Sequence, residues 1–582
     1  MKVSLEILVG KKPLASRPAW AVLMTLGLAL LAGLPQAAYS QAKSSQKSHR
    51  QINNSNIKEL SEAASLLESG RLNEAETAVR KVIAAKPRDV DAHILLGITL
   101  DQLNRSGEAE REYLAALRLQ PNSVPALSNL GVLLARTNRK EEAVKKFERV
   151  LSLDPSHAKA TFNLGALYAA GGNYQRAIPL LERAAGINKG DLSNAITSDR
   201  ALLLMLVNSY AHADRRDAAL RLATELERTS ADHAPTLFTL GLSLADAHEY
   251  QAALRLFERT NVLRPHTYEV LYNLGVTLYN LDRLDEAAQT MSSALALEPT
   301  AADPHYRLGL IMSAKGDSKS ALEFFLKAVE LRPEFAEANF MVGEELLRRK
   351  AEDKSIKYYE SALAQDPAKA LYHLRLGVAF FRIQNYEGAY QVFARALERF
   401  PQNTNFFFLE GYAARAQGRY DAAVAAFNQA LKLEPNHSDA MANLGYIASQ
   451  RGQNEVAERL LRQAIELDKD SFPAYHDLGR LLVKLKKYDD AVPILQRGAE
   501  INKQDPGVHY QLFLAYSRLK RKSDADQELA MFKQLDEANK HTPTPMGNSA
   551  KSGSADAVET LPPLPATATG ENSKIPSPQN QN

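Results

Sequence analysis

Glycine recurs every 34 residues along most of this chain, and that spacing limits the available folds more than any other feature. It falls at 97, 131 and 165, then at 241, 275, 309, 343, 377, 411, 445 and 479. The gap between 165 and 241 is 76 residues, two periods plus eight. With Ala63, Val207 and Phe513 at the remaining equivalent positions, 14 repeats run from Asn56 to Asn539, with the eight extra residues placed within 186–200. Glycine holds 11 of those 14 positions, where 29 glycines in 582 residues would place about one by chance. The register is secure.

Other residues keep the same period. Alanine stands twelve residues after the glycine position in 13 of 14 repeats, from Ala75 to Ala525, with Ser355 the exception. Sixteen after it comes a large apolar side chain, as in Tyr113, Phe147, Phe257, Phe325, Tyr359, Phe393 and Phe427. Proline closes nine repeats, from Pro87 to Pro435. One unit, Asp439 to Phe472, reads DAMANLGYIASQRGQNEVAERLLRQAIELDKDSF. These positions resemble the tetratricopeptide repeat family, over about five-sixths of the chain. The resemblance implies an all-α fold, a right-handed α-solenoid of about 14 helical hairpins whose first helices (A) line a concave groove. The pattern has a physical reason. Glycine and alanine let helix A approach helix B closely, and proline ends B before the next unit begins. A single hairpin cannot bury its apolar face, so stability is shared between neighbours. Phe513 in place of glycine and a charged last helix mark a C-terminal cap. Pro179 and Pro493 fall inside B helices and are expected to bend them slightly.

The composition excludes several chemistries. Cysteine is absent, which removes disulfides, thiolate metal sites and a cysteine nucleophile. Leaving out Lys2, Lys11, Lys12, Arg17 and Glu6, residues 41–582 hold 67 basic and 67 acidic side chains. A neutral array has no overall pull on nucleic acid, so none is expected as a partner. No HExxH, GxxxxGKS/T or GxSxG pattern occurs. His93, His305, His373 and His509 share one repeat position, but equivalent positions recur about 10 Å apart, too far to share an ion. Neither an enzyme nor a metal or cofactor site is expected.

The two ends differ from the array. Lys11, Lys12 and Arg17 precede the apolar run Ala19 to Leu34, then Pro35 and the small residues before Gln41. That is a secretory signal pattern over residues 1–40, so an extracytoplasmic location, periplasmic or secreted, is expected. The alternative is an uncleaved anchor in the inner membrane, the one route to membrane contact. Residues 41–55 read as a polar linker, and 540–582 as a disordered Pro/Ser/Thr-rich tail. The 186–200 insertion, with the degenerate fifth repeat behind it, is either a hinge between a four-repeat and a nine-repeat arm or a tolerated loop.

Aromatic residues are uneven: 15 of the chain's 42 lie between 358 and 427. In the family, positions 2, 5, 9 and 12 of helix A line the groove. Counting glycine as position 8, those positions hold Phe381, Asn405, Phe408, Tyr412, Arg415 and Tyr446. Rings edged by Arg and Asn suit a protein or peptide with apolar anchors, so these six are the candidate binding residues. Thickening of the core between repeats is the alternative use of the rings. The function expected is a non-catalytic interaction scaffold. The second reading is a regulatory or substrate-recruiting subunit of a separate glycosyltransferase or envelope assembly complex. Asn129, Asn163, Asn273 and Asn443 resemble the backbone-binding asparagine ladder of some arrays, but Thr239, Arg307, Met341, Arg375 and Leu409 interrupt it.

Overall fold

A computed structural model describes residues 54–187 and 199–541. The expected leader, nearly all of the polar linker, the centre of the insertion and all but the start of the tail lie outside these residues. The described residues form 28 α-helices and no strand, ordered as helical hairpins. The architecture is an all-α solenoid. Helix A begins on the first residue of the register in repeats 2 to 14, from Val90 to Pro506. The first helix starts at Asn54 and the last runs on to His541, each two residues beyond the register.

One backbone device ends helix A in all 14 repeats. Seven residues past the glycine position the chain turns left-handed, at Gly70, Asn104, Asn138 and so on to Lys520. Only five of these residues are glycine. At Gln384 (φ 60°) the next amide, Asn385 N–H, reaches back to the Phe380 carbonyl at 2.9 Å, closing the helix end. An L-residue in this conformation costs about 1–2 kcal/mol, partly offset by the freedom glycine adds to the unfolded chain. Gln384→Gly is therefore expected to stabilise repeat 10 by roughly 0.5–1 kcal/mol, read by urea denaturation.

Packing explains the paired glycine and ring positions. A methyl group at Gly131 would lie 2.9 Å from the Phe147 ring, and one at Gly343 would lie 2.6 Å from the Tyr359 ring. The rings of Tyr113, Phe147, Phe257, Phe325, Tyr359, Phe393 and Phe427 are fully buried. Helix A thus rests on the ring of its own helix B. Repeat 5 exchanges the sizes: Val207 holds the glycine position and Ala223 the ring position, both buried. Total volume is kept, which cores tolerate best. In repeat 14, Phe513 replaces the glycine, and Phe532 fills a position held by Ala396, Ala430 and Ala464 in repeats 10 to 12. Its ring meets that of Tyr510 at 5.2 Å. Pro493 is accommodated in a full helix, Tyr488–Ile501, whereas the helix holding Pro179, Tyr174–Ala184, is shorter.

The helices form two compact units, divided between Lys315 and Gly316, inside repeat 8. In the first unit, the hairpins on either side of the insertion pack directly. Tyr210 donates to the Glu182 carboxylate at 2.8 Å, and the Tyr174 and His212 rings lie 4.9 Å apart. His212 Nδ1 faces the Asn208 carbonyl at 2.9 Å and Nε2 faces the Asp246 carboxylate at 3.2 Å. The hydrogen bond to Asp246 raises the imidazole pKa, against the opposing effect of burial. The resulting stability is complete below the ordinary value of 6.5 and is lost as pH rises through the raised one. The stability difference between the native chain and His212→Gln should accordingly shrink from pH 6 to pH 8. Chemical denaturation at both pH values checks it, and a constant difference would remove the charged pair from the account.

Two continuous cores lie in the second unit. One joins Phe381, Phe393, Phe406, Phe408, Tyr412 and Phe427 with their aliphatic neighbours; the other begins at Ala442 and ends at Ala525.

Candidate functional site

The six candidate residues sit on helices Ala370–Arg382, Thr404–Ala416 and Ser438–Gln450 of the second unit. Two of the three helices start at side-chain caps: the Asn403 side chain accepts from Phe406 N–H, and that of His437 accepts from Ala440 N–H. The register then turns positions 2, 5, 9 and 12 toward one face. Size decides what happens on that face.

Phe381, Phe408 and Tyr412 are not exposed rings. They retain 3%, 7% and 5% of their accessible surface and belong to the core. Phe381 lies 5.6 Å from Tyr412 and 6.1 Å from Phe393. Phe408 packs on Phe427 at 5.8 Å and stacks on His437, which precedes the next helix A, at 4.9 Å. A ring at position 5 is long enough to reach the following repeat, so it fills the seam instead of standing free. The expectation of a strip of open aromatic anchors is corrected to that extent.

Asn405, Arg415 and Tyr446 are half-buried and reach the surface. The Arg415 guanidinium lies over Tyr412 at 4.7 Å and over Tyr446 at 4.9 Å. Arg480, from the next helix A, covers the Tyr446 ring at 5.1 Å. Tyr446 is thus in contact with two guanidinium groups, a geometry in which each cation gains about 0.5–2 kcal/mol from the ring. Burial raises the pKa of Tyr420, helped by charge repulsion from Tyr446 and a hydrogen bond to it. Arg480 also pairs with Asp477 at 3.0 Å, whereas no ion pair to Arg415 occurs among the described residues. On the same face, burial raises the Asp439 carboxyl pKa. The cluster therefore presents cations and aromatic edges together. Arg480 carries no ring and so falls outside the aromatic pattern that marks most of the other candidates. The signal was there: it occupies position 9, like Tyr412 and Tyr446.

Sequence models described as tetratricopeptide repeat match residues 60–124, 128–191, 238–305, 306–370 and 353–404, then 414–482, then 472–505. The chain belongs to the tetratricopeptide repeat family. Solved structures to which this tetratricopeptide chain is similar include the APC/C hetero-tetramer Cut9–Hcn1, at 14% identity over 79% of this chain and 96% of that one, TM-score 0.30. Naa15/Naa10 bound to HypK-THB gives 13% over 84% and 95%, TM-score 0.32. Yeast Tom70 gives 16% over 78% and 97%, TM-score 0.28. No curated protein matches the chain.

The other polar positions of this tetratricopeptide array turn inward. Asn273 and Asn443 each donate their amide to the carbonyl four residues back, at 2.7 and 2.8 Å. His93 and His509 face Glu112 and Glu528, each at 2.6 Å, while His305 and His373 contact backbone carbonyls of Ala301 and Pro367. Among the described residues no group of three or more His, Asp or Glu side chains is placed to hold a metal ion. No helix among them is long and apolar enough to cross a membrane.

Proposed function

We propose that this chain is an exported, non-catalytic interaction scaffold that binds a protein or peptide on the concave face of repeats 10 to 13. The observation that supports it is the half-exposed Arg415–Tyr446–Arg480 cluster, with Arg415 lacking a carboxylate partner among the described residues. A structural pair of this kind is normally neutralised; an open guanidinium beside a tyrosine edge is the composition of an interface hot spot. Asn405 supplies a polar contact beside it, and the buried Phe381, Phe408 and Tyr412 hold the cluster rigid beneath the ligand. A supporting layer of this kind limits the entropy lost on binding.

The reading is tested by Arg415→Ala with Tyr446→Ala. Capture of crosslinked partners should fall at least tenfold, while the melting temperature changes little because both side chains are half-exposed. Capture at native levels would refute the site. Export is tested by an alkaline phosphatase fusion after residue 60, which should be active, with the mature protein starting near Gln41. A full-length N-terminus in a soluble cytoplasmic fraction would refute export.

A further inference from the structure

We propose that residues Asp556–Pro565 of this chain dock on their own second unit, at the Arg415–Tyr446–Arg480 cluster, so that a partner must displace them. The inference rests on the reading above that this face binds a peptide.

Cations outnumber carboxylates on this face. Arg415 and Arg480 flank Tyr446, and Lys484, one turn beyond Arg480, donates to the Ser449 carbonyl at 3.2 Å. Against these three cations stand two carboxylates, Asp477, paired with Arg480, and Asp439. What fits here carries carboxylates and a small apolar surface for the tyrosine edges.

The tail has that composition. Between Lys551 and Lys574 it holds Asp556, Glu559 and Glu571 and no Lys or Arg. Directly after Glu559 and Thr560 come Leu561, Pro562, Pro563, Leu564 and Pro565. Proline has less backbone freedom to lose, so a proline-rich segment binds at lower entropic cost. The tether is also long enough. Glu559 follows the end of the last helix, His541, by 18 residues. Such a linker spans roughly 25 Å on average and up to about 60 Å extended. Repeat 12 lies two hairpins before repeat 14, about 20 Å at usual helix spacing. Tethering gives an effective concentration near the millimolar range, so a weak contact suffices.

The experiment uses the full chain with photoreactive benzoylphenylalanine in place of the exposed Gln450, one turn from Tyr446. Irradiation should crosslink it to residues 553–567 within a single chain, mapped by mass spectrometry. Arg415→Glu with Arg480→Glu should abolish that crosslink, as should Asp556→Lys with Glu559→Lys. Combining all four reversals should restore it, which a merely misfolded variant cannot do. A labelled peptide of residues 553–567 should bind the Asp556→Lys, Glu559→Lys chain at least fivefold more tightly than the native chain, whose site is occupied. Crosslinks that ignore the charges, that join two chains, or that miss the tail would overturn the proposal. If the tail fails while partner capture still depends on Arg415, only the docking is lost; if capture is indifferent too, the site itself falls.

Discussion

Alanine at both Phe408 and Tyr412 is expected to unfold the middle of the second unit before it can report on binding. Each ring keeps under a tenth of its surface, and each bridges elements: Phe408 to Phe427 and His437, Tyr412 to Phe381. Truncating a buried ring of this size costs about 3–5 kcal/mol. The two rings lie 6.2 Å apart, so the costs will not simply add, but either is large beside the stability one repeat shares with its neighbours. Hydrogen exchange should show protection lost across residues 404–450 and retained in residues 90–180. Unchanged melting with capture abolished would return both rings to the list of ligand anchors.

Gly377→Ala should destabilise its hairpin even though alanine is the better helix former. The new methyl group would fall on the ring of Phe393. That ring is fully buried and held by Phe381 and Phe406, both with centroids 6.1 Å away. Overpacking of this kind costs about 1–3 kcal/mol, against a gain of about 1 kcal/mol in helix propensity. The net sign is loss, with an upper range near 2 kcal/mol by those figures. Gly107→Ala makes the control, since nothing beyond its own turn of helix lies within 4 Å of its new methyl. It should stabilise, by less than the roughly 0.5–1 kcal/mol of a mid-helix site, because Gly107 is the second residue of its helix. Denaturant midpoints of the two variants moving in the same direction would contradict the contact geometry.

The hairpin boundaries were legible because glycine and its ring belong to the same unit and announce each other at a fixed distance. Burial on the groove face was not. Position alone puts Phe408 and Tyr412 on that face, but whether a ring stays open depends on what the next repeat places beside it. His437 covers Phe408, a partner 29 residues away that no spacing rule singles out. The size exchange in repeat 5 was not legible either, because each of its two substitutions, Val207 and Ala223, makes sense only beside the other. The pairing of Arg480 with Tyr446 was hidden for the same reason, since the two residues come from different repeats.

The contact between a glycine and the ring sixteen residues on is made inside one hairpin, which constrains how genes for such chains can recombine. A crossover in the link between hairpins transplants lock and key together, so whole units can be duplicated, lost or moved. A crossover inside a hairpin is harmless only between units of matching size order. Joining the first helix of repeat 5 to the second helix of repeat 6 would set Val207 against the ring of Phe257. The reverse exchange would set Gly241 against Ala223 and leave a void. Repeat 5 is thus a unit that can be inherited whole but not in halves.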